Sequence, residues 1–454
     1  MKRMKRHRPA RIGLSAMLAL LAGTTWGCGP GPAPPQPTEK VSAKSPVHQA
    51  NIVIFLVDTL RADALGFMGY PRPVSPRLDA WAEKGVIFEA ATTPAGWTRP
   101  AVVSLFSGLY PASHGVQDKE HVAPESLSML AEVLGSVGYQ TTGLVSNFAA
   151  SGEFGLGQGF DRYKFFDKTI EAHPDDSKRL NYVSIAGMDA EVRAFLSNPP
   201  AEPFFLYVHT TDPHAPYIPG PKHRLFGRSP RDRYDGEVHY TDHYIGSWLD
   251  LMQESGLLDR SVVLLTADHG EEFEEHGGIG HGITVFDECV RVPLVLWSRD
   301  VQPGRRRALV SLADIPATLL EAARMLSPSG FAEQSRSFWE IATEQDRPDA
   351  WSWAYSELVY PSKGIAFAYR EGESKAVHIV RDRYRPQGGR YLFDLATDPH
   401  EQINLFDSKT SQAREIFDKL RSVRSEHLER MVESETQPLE GDALERMRSL
   451  GYVD

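Results

Sequence analysis

Val262-Val263-Leu264-Leu265-Thr266-Ala267-Asp268-His269-Gly270 is an apolar run that stops on an ionisable pair. Residues 262–267 read as a strand buried on both faces, as in a parallel sheet. In open α/β sheets ligands bind beyond the carboxyl ends of the strands. The same grammar occurs where Ile52 to Val57 is apolar and Asp58 ends the run. It recurs where Phe204-Phe205-Leu206-Tyr207-Val208 runs into His209, Asp212 and His214. Asp58 alone reads equally well as a turn residue, and Asp268-His269-Gly270 alone as a loop with glycine at positive φ. Three strands delivering carboxylates and imidazoles to one sheet edge are instead the layout of a metal-dependent hydrolytic site.

Outward from these strands the pattern alternates strand and helix from residue 51. The expected fold is α/β, a mostly parallel sheet flanked by helices. Ser75-Pro76 opens one helix, with proline at its first position, and Gly85 closes it. Helices are expected over 127–137, over 236–256 with Ile245, Leu249 and Met252 on one face, and over 315–324 with Asp314 as cap and Pro316 in the first turn. Strands are expected over 139–145 and 292–297. The polar, Gly-rich stretch 150–190 has no clear period and reads as an excursion over the site. It and 217–236 are the segments where specificity is expected. After about residue 345 short antiparallel strands are expected over 365–369, 376–381 and 391–394, then a charged helix over 412–433. The catalytic domain is thus placed at 49–340 and a small C-terminal α+β subdomain at 345–454.

The first residues read as a targeting segment. Lys2, Arg3, Lys5, Arg6, Arg8 and Arg11 form a basic region before the short apolar run Ile12 to Ala22. That length suits a signal peptide over 1–27 and not a membrane span. Cys28 follows Thr25-Trp26-Gly27 and resembles a bacterial lipoprotein site, although such sites usually carry Leu at the Thr25 position. Ordinary cleavage with an incidental Cys is the competing reading. Residues 28–48, rich in Pro, Gly and Ala, read as a disordered tether. The chain is therefore expected to be exported to a bacterial cell envelope and held at the membrane through a lipid on Cys28. Only two Cys are present, so a lipidated Cys28 leaves Cys289 without a disulfide partner. Cys289 reads as a buried, inert thiol. With 49 Lys and Arg against 60 Asp and Glu, a nucleic-acid partner is not expected. An anionic substrate then needs positive charge supplied locally.

Gly96-Trp97-Thr98-Arg99-Pro100-Ala101-Val102-Val103-Ser104-Leu105-Phe106-Ser107-Gly108 reads as a helix ended by glycine. Pro100 belongs in the first turn, so Thr98 or Arg99 is the expected cap. A hydroxyl there would sit over free backbone N–H groups, which form an anion site. A metal touching the same oxygen would make it a nucleophile. Thr98 also serves well as a plain helix cap. The strand-end Asp and His residues tip the reading to the nucleophile.

Further stretches complete a family pattern: Val57-Asp58-Thr59-Leu60-Arg61-Ala62-Asp63, Ser75-Pro76-Arg77-Leu78-Asp79, Ser107-Gly108-Leu109-Tyr110-Pro111, Asp212-Pro213-His214-Ala215-Pro216-Tyr217, Ala267-Asp268-His269-Gly270-Glu271, Gly280-His281-Gly282 and Asp398-Pro399-His400-Glu401. In this order they resemble the sulfatase-like branch of the alkaline phosphatase superfamily, from residue 51 to about 406. The resemblance implies a metal held by Asp58, Asp268 and His269 together with the Thr98 oxygen. It implies Thr98 at the nucleophile position, and His214 and His281 as acid/base groups in contact with substrate. The departures carry equal information. True sulfatases have Cys-x-Pro-Ser-Arg, with the Cys oxidised to formylglycine, where this chain has Thr98-Arg99-Pro100-Ala101-Val102. Val102 replaces the motif's Arg, a charge that Arg99 is expected to supply to the substrate. Thr59 replaces a metal-binding Asp, and His269 stands where sulfatases often have Asn.

A set of carboxylates, one imidazole and a hydroxyl suits one Mn²⁺ or Zn²⁺ better than Ca²⁺. Threonine nucleophiles in this superfamily belong to phosphate-ester enzymes. The expected activity is hydrolysis of phosphate mono- or diesters. A sulfatase and a catalytically weak surface lipoprotein are the alternatives. The expected partner is a small anionic ester or a polar lipid or glycan headgroup.

Overall fold

The structure is a computed structural model and describes residues 49–167, 182–218, 226–344 and 352–453. The leader, Cys28 and the tether lie outside the described residues, as do parts of both expected specificity segments. Continuous apolar runs form the centre of the sheet because both of their faces are covered. Every residue of β1 (Asn51–Val57), β5 (Phe204–Thr210) and β6 (Ser261–Ala267) is buried. The other strands of this sheet are β2 (Val86–Thr92), β3 (Gln140–Val145), β4 (Arg162–Phe165), β7 (Leu294–Trp297) and β8 (Gly304–Ser311). They run in the order β8-β2-β7-β6-β1-β5-β3-β4. All neighbours are parallel except those of β7, which runs against both β6 and β2.

Helices cover the two faces. The described helices that matter here are α1 (Pro76–Ala82), α2 (Thr98–Ser107), α3 (Leu130–Ser136), α4 (Ile185–Ser197), α5 (Pro230–Glu254) and α6 (Ile315–Ala322). Phe106 of α2 meets Tyr207 edge-on at 4.8 Å, and Trp248 of α5 meets Phe55 at 5.7 Å. Tyr207 pairs with Ile54 and Val208 with Phe55 in register. Side chains alternate along a strand, so α2 and α5 lie on opposite faces. Helix α5 starts at Pro230, earlier than expected, behind a Ser229–Asp232 capping box of the kind that satisfies free N–H groups. Asp314 precedes α6 as expected, but its carboxylate accepts from Ser311 N and Arg336 N, closing a capping box on the preceding 3-10 turn (Leu312–Asp314) instead of capping α6.

A second sheet is antiparallel, with β9 (Trp353–Tyr360), β10 (Gly364–Glu371), β11 (Ser374–Asp382) and β12 (Gly389–Asp394) in sequential order. Three of these strands were expected; β9 was not, because Ser356 and Glu357 interrupt its apolar pattern. Both are buried. Glu357 accepts from the Ala112 backbone and from Tyr355 OH, which is how a sheet tolerates a carboxyl in its interior. The charged helix α7 (Thr410–Glu429) packs on this sheet through Ala413, Ile416, Phe417 and Leu420. A last helix, α8 (Gly441–Ser449), leads into Tyr452.

Candidate active site and metal centre

Parallel register sets the site. Val57 pairs with Ala267 across β1 and β6, so the next residues, Asp58 and Asp268, leave adjacent strands at the same height. Adjacent strands are about 4.8 Å apart, which brings two carboxylates together. The His269 ring completes the group, with Nε2 3.4 Å from Asp58 Oδ1 and 3.5 Å from Asp268 Oδ2. Its Nδ1 lies 2.9 Å from Gly270 O and donates to it. That fixes the tautomer and leaves the Nε2 lone pair facing the carboxylates.

All three side chains are fully buried. One oxygen of each carboxylate is held by N–H donors: Asp58 Oδ2 by Asn147 Nδ2, and Asp268 Oδ1 by His269 N at 2.8 Å and Thr59 N at 3.3 Å. The other oxygen, Asp58 Oδ1 or Asp268 Oδ2, has no hydrogen-bond partner. Burial, with the Asp268 charge beside it, pushes the Asp58 carboxyl well above the usual range. Buried acceptors that converge without a donor are relieved by a shared proton or by a cation. Asp58, Asp268 and His269 each offer one ligand atom, all within 4.8 Å of one another. The donors fit a divalent metal. Thr59 sits beside them at φ 55°, with its hydroxyl buried and without a partner. For a β-branched residue that conformation costs roughly 1–3 kcal/mol and is typical of a functional edge.

Thr98 reaches the same point from β2. Its hydroxyl is 3.2 Å from His269 Nε2, 3.4 Å from Asn147 Nδ2 and 2.6 Å from Tyr452 OH. It does not cap α2 as expected. The helix starts one residue sooner, with Trp97 as the N-cap and Thr98 as its first residue. The hydroxyl therefore turns from the backbone N–H groups towards the carboxylate cluster.

His214 and His281 flank this group. Their rings are 4.9 Å apart, and that of His281 is 4.5 Å from that of His269. His214 Nδ1 donates to Ala215 O at 2.7 Å, and His281 Nδ1 to Glu271 Oε1 at 3.0 Å. Both Nε2 atoms are buried without a partner. Burial pulls His214 down to about 4 and His281 well below its usual value. The rings are neutral at pH 7, each with a lone pair at Nε2.

Arg99 is placed elsewhere. Its guanidinium donates to the carbonyls of Lys119, His121 and Ala149 and stacks 3.4 Å from the Phe154 ring centre. The charge expected at the substrate is tied into backbone packing. Asp212, expected at the edge, accepts from Ile185 N at the start of α4. His209 lies within the edge, its Nε2 3.9 Å from Asp268 Oδ2. Four residues without an assigned role join the site: Asn147 between Asp58 and Thr98, Glu271 behind His281, Lys363 donating to Gly451 O, and Tyr452 on Thr98. Glu271 adjoins Asp268-His269-Gly270 and was legible there. Asn147 follows β3 by two residues, at the same sheet edge. Tyr452 is 354 residues from Thr98 in sequence, and no local pattern marks it.

This fold and this buried carboxylate–imidazole cluster are those of an ester-hydrolysing enzyme of the sulfatase-like alkaline phosphatase superfamily. The sulfatase family profile matches residues 50–325, and the chain belongs to that family. It is similar to an ulvan-active sulfatase of Formosa agariphila, 26% identical over 404 residues that cover 78% of this chain and 76% of the relative. An N-acetylgalactosamine-6-O-sulfatase of Bacteroides thetaiotaomicron is 22% identical over 91% of this chain and 99% of its own. Among solved structures, a phosphonate monoester hydrolase of Agrobacterium radiobacter superposes with a TM-score of 0.69 at 19% identity, over 84% of this chain and 96% of that one.

Proposed function

We propose that the protein hydrolyses phosphate mono- or diesters with Thr98 Oγ1 as nucleophile. The observation that carries this reading is the Thr98 hydroxyl itself, buried 3.2 Å from His269 Nε2 at the edge that bears the Asp58–Asp268 pair. A formylglycine needs a Cys at this position, and the chain has Thr98; the described Cys289 is buried elsewhere. A divalent metal, Mn²⁺ or Zn²⁺ by its oxygen and nitrogen donors, would be held by Asp58, Asp268, His269 and the Thr98 oxygen. When bound, it would supply the positive charge that lowers the hydroxyl pKa and screens the substrate anion. Asn147 holds the Asp58 carboxylate and the hydroxyl in place. The Thr98 oxygen attacks phosphorus as its proton passes by way of His214 or His281 to the ester oxygen, whose bond to phosphorus breaks and leaves a phospho-threonine; water then attacks phosphorus, the P–Oγ1 bond breaks and phosphate leaves, one proton of the water returning to Oγ1 through the same histidines. His214 and His281, each with an open Nε2, handle the proton of the leaving oxygen.

A sulfuric ester is the second reading, favoured by the relatives, whose names specify ulvan and N-acetylgalactosamine 6-O-sulfate activities. Side-by-side assays with p-nitrophenyl phosphate, bis-p-nitrophenyl phosphate and p-nitrophenyl sulfate, on protein of measured metal content, decide between them. The expected result is metal-dependent turnover of a phosphate ester at least ~10-fold above the sulfate. Faster turnover of the sulfate ester rejects the phosphate preference.

The substrate would be a small anionic ester or a polar lipid or glycan headgroup, met at a cell envelope. No helix among the described residues is long and apolar enough to cross a membrane. The proposed anchor is a lipid on Cys28, which follows a basic and then an apolar stretch. Cys28→Ser is expected to move the protein from the membrane to the soluble fraction with its activity intact. Fractionation identical to wild type rejects the anchor.

A further inference from the structure

Glu272, His276 and Glu288 form a second group among the described residues in which carboxylate and imidazole atoms converge, one from each side chain and all within 4.8 Å of one another. They lie to one side of the reaction centre. Glu271 turns to His281 Nδ1, and its neighbour Glu272 turns the other way, where Oε1 accepts from His276 N at 3.0 Å and Gly278 N at 2.7 Å. Glu272 is fully buried, and its Oε2 has no hydrogen-bond partner. Burial, with the Glu288 charge beside it, pushes this carboxyl up. The His276 ring lies flat on that of Phe286, with centres 3.8 Å apart. Its Nε2 donates to Glu401 O at 3.0 Å. A neutral ring so held turns the lone pair of Nδ1 on Glu288 Oε1, 2.7 Å away. A proton on Nδ1 answers Glu288 and leaves Glu272 Oε2 unpaired. A cation in reach of all three side chains answers both. Glu288 also lines a cavity of about 160 Å³, which it shares with Glu275, Asp287, Glu401, Arg61 and Arg291, so the group is not sealed in the core.

We propose that Glu272, His276 and Glu288 hold a second divalent cation, whose role is structural. Two carboxylates and an imidazole suit a first-row ion such as Zn²⁺ or Mn²⁺. Ligands about 2.1 Å from one ion lie roughly 3 Å apart, so the His276–Glu288 pair opens slightly as the ion enters. Glu272 and His276 belong to the hairpin made by Glu272–Phe273 and Ile279–Gly280, and Glu288 to the short helix Asp287–Val290. An ion shared by the two elements closes the loop between them, and that loop carries His281. The cation fastens the chain that flanks the reaction centre and does not meet the substrate.

Metal counting in the full chain tests this. Wild type, Asp268→Asn, Glu272→Gln and the double variant are stripped with chelator, dialysed against Zn²⁺ or Mn²⁺ and analysed for bound ion. Asp268→Asn, whose reaction-centre site is broken, is expected to keep about one ion per chain and the double variant none. Loading should raise the melting temperature of Asp268→Asn by at least ~3 °C, and the double variant should gain nothing. In chelator the double variant should melt no lower than Asp268→Asn. Gln keeps the oxygen that the N–H groups of His276 and Gly278 need and puts a donor in place of the unpartnered oxygen. An Asp268→Asn that takes up no ion overturns the proposal, as does equal uptake with and without Glu272→Gln. If Asp268→Asn does not fold, Glu272→Gln and His276→Ala are compared with wild type. Loss of about one ion from both supports the site, and undiminished uptake in either overturns it. Wild type that binds a single ion, lost with Asp268→Asn and kept with Glu272→Gln, overturns this site and leaves the reaction-centre reading standing.

Discussion

Thr98→Ala is expected to lose at least ~10³-fold in turnover, the scale seen when a nucleophile that acts as one unit with its activating groups is removed. The hydroxyl touches His269, Asn147 and Tyr452 at once, so no neighbour can substitute for it without moving. Thr98→Ser keeps the oxygen and retains measurable activity. Thr98→Cys does not become an efficient formylglycine enzyme, because Val102 stands where the motif requires Arg. Mass analysis of a quenched wild-type reaction should place phosphate on the peptide containing Thr98. Wild-type turnover in Thr98→Ala would instead favour direct attack by water.

Asp268→Asn and His269→Ala are expected to abolish turnover and metal retention while the fold persists. Both side chains emerge beyond β6, outside the apolar packing of the sheet; the Thr59 N–H that Asp268 Oδ1 accepts is also met by the amide oxygen of Asn. Asp268→Asn carries a second expectation of unusual sign. In metal-free protein, burial and the Asp268 charge raise the Asp58 carboxyl. A carboxyl raised on folding stabilises the fold while protonated, and that stability is lost as pH rises through its folded pKa. Metal-free wild type should therefore lose stability as pH rises from the acid range, and metal-free Asp268→Asn should lose less. Thermal melts in chelator across that range check this. A variant that melts well below chelated wild type at neutral pH would show that Asp268 holds the structure rather than a cation. Retained turnover in either variant would remove both from the metal site.

The strands that bear the site were legible because burial on both faces leaves little but Val, Ile, Leu and Phe in them. An Asp that stops such a run is conspicuous, hence Asp58 and Asp268. Strand β9 was hidden by Glu357, whose burial depends on the distant Ala112 N–H. Arg99 looked available because a cation beside the nucleophile suggests a substrate. Only three dimensions reveal the carbonyls of residues 119, 121 and 149 that occupy it. The cap expected at Thr98 was displaced, since the helix starts on Thr98 itself. One position of difference turned its hydroxyl from the helix end to the cluster. Tyr452 was beyond reach, since a contact over such a sequence distance leaves no periodicity.

The reversal of β7 has a consequence for how such a protein diversifies. A parallel successor to β6 would have required a crossover helix that carries the chain back to the far edge of the sheet. Because β7 runs the opposite way, residues 268–293 never leave the near edge, and they bear Asp268, His269, Glu271 and His281 in one span. Within it a small hairpin pairs Glu272–Phe273 with Ile279–Gly280, and its second strand exposes Ile279 to solvent. Insertions at the hairpin turn would alter what meets the reaction centre and leave all eight strands in register. The turn is a natural grafting point, where a library of loop lengths could be screened for new ester preferences without redesigning the scaffold.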